Sequence, residues 1–206
     1  MLAIFDLDGT LVDSRVDLAA AGNAARAALR LSALPVEAVT AMIGDGAGKL
    51  LERLIPDGTQ DDRAVGMAAF TRHYAAHLTD QTRAYPGIPD LLAALRREGW
   101  RIAVATNKPA LFAKPILDRL SLPFDALRGG EAGKKPDPGM LREVMDELAS
   151  SPAETWMIGD HHTDLQAAAA AGVRSIHCTW GFGRREGAPA NAVAKSPLDI
   201  GPILHA

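Results

Sequence analysis

The sequence predicts an α/β protein in which a doubly wound parallel sheet carries a small all-helical insert. Three observations indicate this fold class. A short apolar run, residues 2–5, leads straight into an aspartate, as a buried strand with a polar end does. Residues 14–83 show helical periodicity and no strand pattern. After Pro86-Gly87, strand and helix patterns alternate, which implies right-handed crossovers and a parallel sheet.

The predicted core comprises residues 1–13 and 84–206, and the predicted insert comprises residues 14–83. Within the insert, alanine-rich periodic segments favour helix, and glycine and proline interrupt them. The predicted helices of the insert cover residues 16–31, a stretch that starts at Pro35, residues 50–54 and residues 61–78.

In the rest of the core, short apolar runs predict buried strands, and Gly99 and Gly172 end predicted helices. The predicted strands after the insert are residues 101–106, 124–127, 155–158 and 173–178. The predicted helices that separate them are residues 88–97, 111–120, 138–148 and 165–171. The tail after Gly183 has a loosely organised pattern.

Composition and charge argue against several classes of protein. The formal net charge is −3 and no long block of like charge occurs, which argues against a surface for nucleic acid or anionic membrane. No stretch approaches a membrane span, and we do not expect the first apolar run to be a signal peptide, because Asp6 interrupts it at once. Cys178 is the single cysteine, which excludes an internal disulfide and a cysteine-rich zinc site. We therefore expect a cytoplasmic protein.

Two carboxylates mark the end of the first strand. Asp6 and Asp8 leave that strand end on the same side, because side chains alternate along a strand. Two close carboxylates repel each other unless a cation lies between them, and a hard divalent ion such as Mg²⁺ binds through oxygen. A turn is the alternative, because Asp-Gly is common in turns. We favour a metal site.

Polar residues also follow the other predicted strands. Thr106-Asn107 offers a hydroxyl, an amide and free backbone N–H groups at a helix start, which suit an anion. The remaining sets are Gly129-Gly130 with Lys134-Lys135-Pro136, and Gly159-Asp160 with Asp164. Since ligands collect beyond the carboxyl ends of parallel strands, we expect these groups to bind a metal ion and a phosphoryl group together.

The chain resembles the haloacid dehalogenase superfamily in four motifs, which are in order residues 6–10, Thr106, Lys135 and Gly159-Asp160 with Asp164. The resemblance covers nearly the whole chain and implies a Rossmann-like core. The helical insert after the first strand resembles the small cap domain of that superfamily. An aspartate at position 8 resembles the phosphatase and phosphomutase branches.

The resemblance implies a mechanism that the residue types also suit. Asp6 is the expected nucleophile, which forms an aspartyl-phosphate, and Asp8 is the expected general acid and base. Mg²⁺ is expected on the Asp6 carboxylate, the Asp8 backbone carbonyl and Asp160. Thr106 and Lys135 are expected to hold phosphoryl oxygens.

Further roles follow from the same resemblance. Asp164 is expected to orient Lys135 or a metal-bound water. Thr10 and Asn107 are expected to bind substrate. Lys135 is favoured over its neighbour Lys134 because in the family the lysine directly precedes proline.

Some segments resemble bacterial phosphoglycolate phosphatases in particular, namely residues 43–51, His73-Tyr74, residues 85–87 and residues 179–183. Gly44, Gly46 and Lys49 could bind the carboxylate of 2-phosphoglycolate; the alternative is a glycine-rich helix break with a solvated lysine. The expected partner is a small phosphorylated metabolite, and the expected assembly is a monomer or a homodimer.

Other interpretations stay open or are rejected on spacing. A pyrophosphatase, a sugar-phosphate phosphatase or a β-phosphoglucomutase-like mutase would use the same core, whereas a non-catalytic phospho-ligand sensor is expected to lack Asp6 or Asp8. The glycine-rich residues 44–49 do not have P-loop spacing. His161-His162 could be helix-start residues or replacement metal ligands.

Overall fold

The structure, a computed structural model, describes residues 1–131 and 133–206. The chain divides into two compact units, one formed by residues 1–13 with 84–206 and the other by residues 14–83. Among the described residues, no helix is long and apolar enough to cross a membrane.

A six-stranded sheet organises the first unit. In chain order the strands of the molecule are β1 (Leu2–Phe5), β2 (Val12–Asp13), β3 (Arg83–Ala84), β4 (Arg101–Ala105), β5 (Ala126–Arg128), β6 (Thr155–Gly159), β7 (Arg174–Cys178) and β8 (Ala192–Ala194). The large sheet has the order β5-β4-β1-β6-β7-β8, and β2 and β3 form a separate two-stranded sheet. Neighbouring strands of the large sheet run parallel. The predicted doubly wound parallel sheet is confirmed.

Residues 14–82 contain helices and loops, and no strand lies within them. In chain order these helices are α1 (Arg15–Ala28), α2 (Val36–Thr40), α3 (Ala47–Leu54) and α4 (Gln60–Ala76). The buried carboxylate of Asp17 accepts hydrogen bonds from Gln81 N and Thr82 N, which fastens the end of this unit to its first helix. The predicted all-helical insert is thus confirmed as part of the fold class.

The helices of the first unit are α5 (Ile88–Arg97), α6 (Ala110–Arg119), α7 (Gly139–Glu147), α8 (His162–Ala171) and α9 (Ile200–Leu204), with short 3₁₀ helices at Pro152–Glu154 and Pro197–Asp199. They cover a sheet whose central strand is apolar and buried throughout. Leu2 and Ile4 of β1 pack in one cluster with Ala103 of β4, Leu141 of α7 and Met157 of β6. Burial on both faces explains why these strands read as continuous apolar runs.

The tail after Gly183 is more ordered than its sequence indicates. It contains β8, which pairs in parallel with β7 at the edge of the sheet. The side chain of Asn191 accepts a hydrogen bond from Ser175 N at 2.8 Å, directly before β8 begins. A three-residue edge strand that is fixed by such a contact has too short a pattern to be recognised in the sequence.

Candidate active site

Two aspartates lie where adjacent central strands end. Asp6 follows β1 and Asp160 follows β6, and Phe5 is in register with Ile158 across these strands. The backbone N–H of Asp6 continues the ladder by donating to Ile158 O at 2.9 Å. One carboxylate oxygen of each of Asp6, Asp160 and Asp164 lies within 4.8 Å of the others, and all three residues are buried. The strand ends therefore create an acidic cluster.

Lys135 lies inside this cluster. Its Nζ is 2.7 Å from Asp6 Oδ1 and 2.6 Å from Asp164 Oδ1, and it donates to Ala105 O at 2.6 Å. Lys135 is 3% exposed, whereas its neighbour Lys134 is exposed. The structure thus brings Lys135 and not Lys134 to the carboxylates.

The electrostatics of the cluster follow from burial and crowding. Burial raises the pKa of Asp6 to about 7, although the attraction of Lys135 opposes the shift. Burial and repulsion by Asp6 and Asp164 raise the pKa of Asp160 well above its usual value. Burial by itself would lower the pKa of Lys135, but the attraction of Asp164 and Asp6 outweighs it and raises that pKa.

The donor set of the cluster suits a hard divalent cation. Lys135 pairs with Asp6 and Asp164, and Asp160 has no ion pair with it among the described residues, so the three carboxylates, when ionised, outnumber the ammonium. Burial and then repulsion raise the pKa of Asp6 and Asp160, and a cation bound through oxygen would offset both effects by favouring the ionised carboxylates. The cluster could therefore hold a metal ion.

Thr10, which the sequence suggests as a substrate-binding residue, lies next to Asp160. Its hydroxyl is fully buried and donates to Asp160 Oδ1 at 3.1 Å. The other oxygen of that carboxylate, Oδ2, accepts from Gly183 N at 2.7 Å. Thr10 thus contacts a candidate metal ligand.

Asp8 and Lys108 form a second ion pair, in which Lys108 is buried and Asp8 is half-buried. Lys108 Nζ lies 2.5 Å from Asp8 Oδ1, and the two side chains are 5% and 14% exposed. Lys108 is a residue of the candidate site that was not predicted from the sequence. Its signal was available, because Lys108 lies two residues after Thr106 at the same strand end.

Thr106 and Asn107 join the β4–α6 loop to its surroundings. The buried Thr106 hydroxyl accepts from Lys108 N at 3.2 Å. The Asn107 amide contacts the backbone of Lys135 twice: Oδ1 accepts from Lys135 N at 2.8 Å, and Nδ2 donates to Lys135 O at 3.1 Å. Asn107, which the sequence suggests as a substrate-binding residue, therefore holds the segment that carries the buried lysine.

His161 and His162 lie at the start of α8. His161 is the N-cap residue: its N–H donates to Asp164 Oδ2 at 3.0 Å, and its ring lies 2.9 Å from the Thr163 hydroxyl. The two imidazole rings are 4.1 Å apart between centroids. The helix-start role left open by the sequence is thus observed for His161.

Gly44 and Lys49 belong to the unit formed by residues 14–83. Gly44 has a φ of 134° and lies in the loop before α3. Lys49 lies on α3, is exposed and pairs with Glu52 at 2.8 Å. A contact of these residues with a substrate carboxylate stays a prediction.

A doubly wound parallel sheet whose carboxyl edge carries buried carboxylates and a lysine is the arrangement of an α/β enzyme with its active site at the strand ends. The family of haloacid dehalogenase-like hydrolases matches this chain over residues 3–178. The chain belongs to this family, which confirms the resemblance indicated by the motifs.

Relatives with assigned names are similar over most of this chain. A phosphoglycolate phosphatase of Pseudomonas putida is 39% identical over 208 residues, which cover 95% of this chain and 74% of the relative. A phosphoglycolate phosphatase of Aquifex aeolicus is 32% identical over 205 residues, which cover 98% and 95% of the two chains.

Solved structures have the same fold. A predicted phosphoglycolate phosphatase from Haemophilus somnus superimposes with a TM-score of 0.92 at 29% identity, covering 98% of this chain and 96% of the other. CbbY from Rhodobacter sphaeroides, solved in complex with phosphate, superimposes with a TM-score of 0.82 at 26% identity, covering 97% and 96%.

Proposed function

We propose that this chain is a Mg²⁺-dependent phosphatase that hydrolyses a small phosphate monoester, with 2-phosphoglycolate as the preferred substrate. The observation that carries the proposal is the convergence of Asp6, Asp160 and Asp164 with Lys135 at the carboxyl edge of the sheet. This set offers a carboxylate nucleophile, oxygen ligands for a cation and an ammonium for phosphoryl oxygens. The names of the relatives support the choice of substrate.

The proposed ligands of Mg²⁺ are the carboxylates of Asp6 and Asp160 and the backbone carbonyl of Asp8. Oxygen donors of this kind are those that Mg²⁺ takes in proteins. When bound, the ion supplies positive charge that lets an anionic nucleophile approach an anionic substrate. Asp164, which pairs with Lys135 and accepts from His161 N, is proposed to position the lysine.

The proposed reaction has two steps. A carboxylate oxygen of Asp6 forms a bond to phosphorus while the bond from phosphorus to the ester oxygen breaks, and Asp8 gives the departing alkoxide a proton. Asp8 then takes a proton from the water that attacks the aspartyl-phosphate, which releases inorganic phosphate and restores Asp6. Lys135 and Thr106 are proposed to hold the phosphoryl oxygens throughout.

A phosphate-release assay tests the substrate and the nucleophile together. We expect 2-phosphoglycolate to give the highest kcat/KM in a panel that also contains sugar phosphates and pyrophosphate, in the presence of Mg²⁺. Asp6→Asn is the matched control and is expected to release no phosphate above background. A different preferred ester contradicts the choice of substrate alone, whereas equal turnover by Asp6→Asn contradicts the mechanism.

A second assay tests the covalent route. Beryllofluoride with Mg²⁺ imitates a phosphoryl group on a carboxylate, so we expect it to block turnover of the wild-type chain. Isomerisation of a hexose phosphate without release of phosphate would favour a mutase instead. Full phosphatase activity in the presence of beryllofluoride contradicts an aspartyl-phosphate.

Several finer assignments belong to the same proposal. The helical unit is proposed to act as a cap that contributes to substrate choice, with Gly44 and Lys49 as candidates for binding the substrate carboxylate. The cytoplasmic location and the assembly as a monomer or homodimer stay predictions from the sequence.

A further inference from the structure

The segment that follows β7 contacts Asp160 directly. We call residues 179–183 the glycine strap; their sequence is Thr-Trp-Gly-Phe-Gly. Gly183 N donates to Asp160 Oδ2 at 2.7 Å. The strap thus binds a side chain that lies at the end of β6, 23 residues earlier in the chain.

The space around the Asp160 carboxylate explains why two strap residues are glycine. A Cβ on Gly181 would lie 2.2 Å from Asp160 Oδ2, and a Cβ on Gly183 would lie 2.9 Å from the same atom. Gly9 also lies against this carboxylate, because a Cβ on Gly9 would be 2.1 Å from Oδ2. Neither strap glycine has the positive φ that by itself favours glycine. The requirement is therefore for room beside the carboxylate.

Trp180 of the strap reaches the other oxygen of Asp160 through Thr10. The indole Nε1–H donates to Thr10 O at 3.1 Å, and the Thr10 hydroxyl donates to Asp160 Oδ1 at 3.1 Å. Each carboxylate oxygen of Asp160 therefore receives a hydrogen bond, from Gly183 directly or from a threonine that Trp180 fixes.

The hydrogen bonds to Asp160 oppose the repulsion between its carboxylate and its acidic neighbours. Asp160 lies buried beside Asp6 and Asp164, and when these carboxylates are ionised their like charges favour rotation of Asp160 away from the cluster. A side chain held at both oxygens cannot rotate away without losing both bonds. Outer contacts of this kind orient metal ligands, and removing them weakens metal binding by about 10-fold to 100-fold.

We propose that Trp180, Gly181 and Gly183 of the glycine strap are positioning residues that hold Asp160 in its cation-binding orientation and thereby set the affinity for Mg²⁺. This inference rests on the proposed function, because it takes Asp160 as a ligand of Mg²⁺. None of the three residues is assigned a contact with substrate.

Isothermal titration calorimetry of the full chain with Mg²⁺ tests the proposal without reference to turnover. We expect Gly183→Ala to weaken Mg²⁺ binding by about 10-fold or more. Trp180→Phe keeps an aromatic ring and removes the indole N–H, so we expect a smaller loss in the same direction. Gly201→Ala is the matched control, because a Cβ there meets nothing within 4 Å, and we expect wild-type affinity. Thermal unfolding in EDTA checks that each variant folds.

The outcomes separate the two proposals. If the wild-type chain binds no Mg²⁺, or if Asp160→Asn binds it as tightly as the wild type, the proposed metal site is wrong. If the wild type binds Mg²⁺, Asp160→Asn does not, and both strap variants bind like Gly201→Ala, the strap has no positioning role. Should Gly183→Ala fail to fold, Trp180→Phe decides: unchanged affinity overturns the inference and reduced affinity supports it.

Discussion

Lys135 shows at the scale of a single residue what the site requires. A buried ammonium is costly unless it is paired and hydrogen-bonded. Here the carboxylates of Asp6 and Asp164 and the carbonyl of Ala105 all lie within hydrogen-bonding distance of Nζ. The charge is therefore tolerated, and the same ammonium lies beside the proposed nucleophile, where a phosphoryl group would arrive.

Removal of this charge should affect both catalysis and folding. We expect Lys135→Met to lower kcat by about 10²-fold to 10³-fold, as loss of an electrostatic donor does. We also expect it to lower the free energy of unfolding by about 3–5 kcal/mol without metal, because buried carboxylates lose their partner. Lys134→Met, at the exposed neighbour, is the control and should change neither. Steady-state phosphate release and urea unfolding measure the two effects; equal kinetics of the two variants would contradict the assignment.

Lys108 is a second buried lysine that pairs with a carboxylate of the candidate site. Its ion pair with Asp8 fixes the carboxylate proposed as general acid and base. We expect Lys108→Met to lower kcat by about 10-fold or more, since general acid–base catalysis depends on the position of the group. Lys114→Met is the control, because Lys114 forms an exposed pair with Asp118. Unchanged kcat in Lys108→Met would contradict a role of Lys108 in positioning Asp8.

Two loops behave as one bonded element at the next scale. The β4–α6 loop and the segment after β5 are joined by the Asn107 amide, by Gly130 N donating to Lys108 O at 3.0 Å, and by Ala110 N donating to Glu131 at 3.0 Å. A Cβ on Gly130 would lie 2.4 Å from Asn107 O, so the loops approach closely because this residue is glycine. The position of Lys135 thus depends on the preceding loop.

Asn107 is the residue that tests this dependence. We expect Asn107→Ala to lower the free energy of unfolding by about 1–3 kcal/mol, because it leaves buried groups of Lys135 without partners. We also expect lower kcat/KM for the phosphate ester. Asn107→Asp keeps the oxygen that accepts from Lys135 N and loses the donor to Lys135 O, so its kcat/KM should lie between the other two. If Asn107→Ala loses stability and retains kcat/KM, the amide serves folding alone.

Burial determines which parts of the fold and of the site could be predicted from the sequence. The central strands and the aspartates that end them could be predicted, because burial on both faces leaves a continuous apolar run that stops at the first charge. The contacts that the site residues make with one another could not be predicted. Thr10 meets Asp160 across 150 residues, and Asn107 meets Lys135 across 28. Such contacts depend on strand order and loop approach, which no local pattern records.

At the scale of the whole molecule, the buried carboxylates of the proposed metal site make folding stability depend on pH. The pKa values of Asp6 and Asp160 in the folded chain lie above the ordinary value of 3.8, that of Asp6 at about 7. Between pH 3.8 and the folded pKa of each carboxylate, the folded chain binds protons more tightly than the unfolded chain does. Stability from both groups is therefore fully present below the unfolded pKa and is lost as pH rises through the folded pKa. Burial lowers the pKa of His177, so this group has the opposite effect: its contribution to stability is lost as pH falls below its ordinary pKa of 6.5.

We accordingly expect the metal-free chain to lose stability as pH rises from about 5 to about 7, by up to about 1.4 kcal/mol per pH unit for each titrating carboxylate. Saturating Mg²⁺ favours the ionised carboxylates, so the stabilisation that it gives should grow with pH. Asp160→Asn keeps His177 and removes one buried charge, and should therefore be more stable than the wild type at pH 8 in EDTA and respond little to Mg²⁺. Urea unfolding at pH 5, 6, 7 and 8, with EDTA or with Mg²⁺, measures these differences. An increment from Mg²⁺ that is the same at every pH, or the same in Asp160→Asn, would mean that cation binding and the buried carboxylates are not coupled.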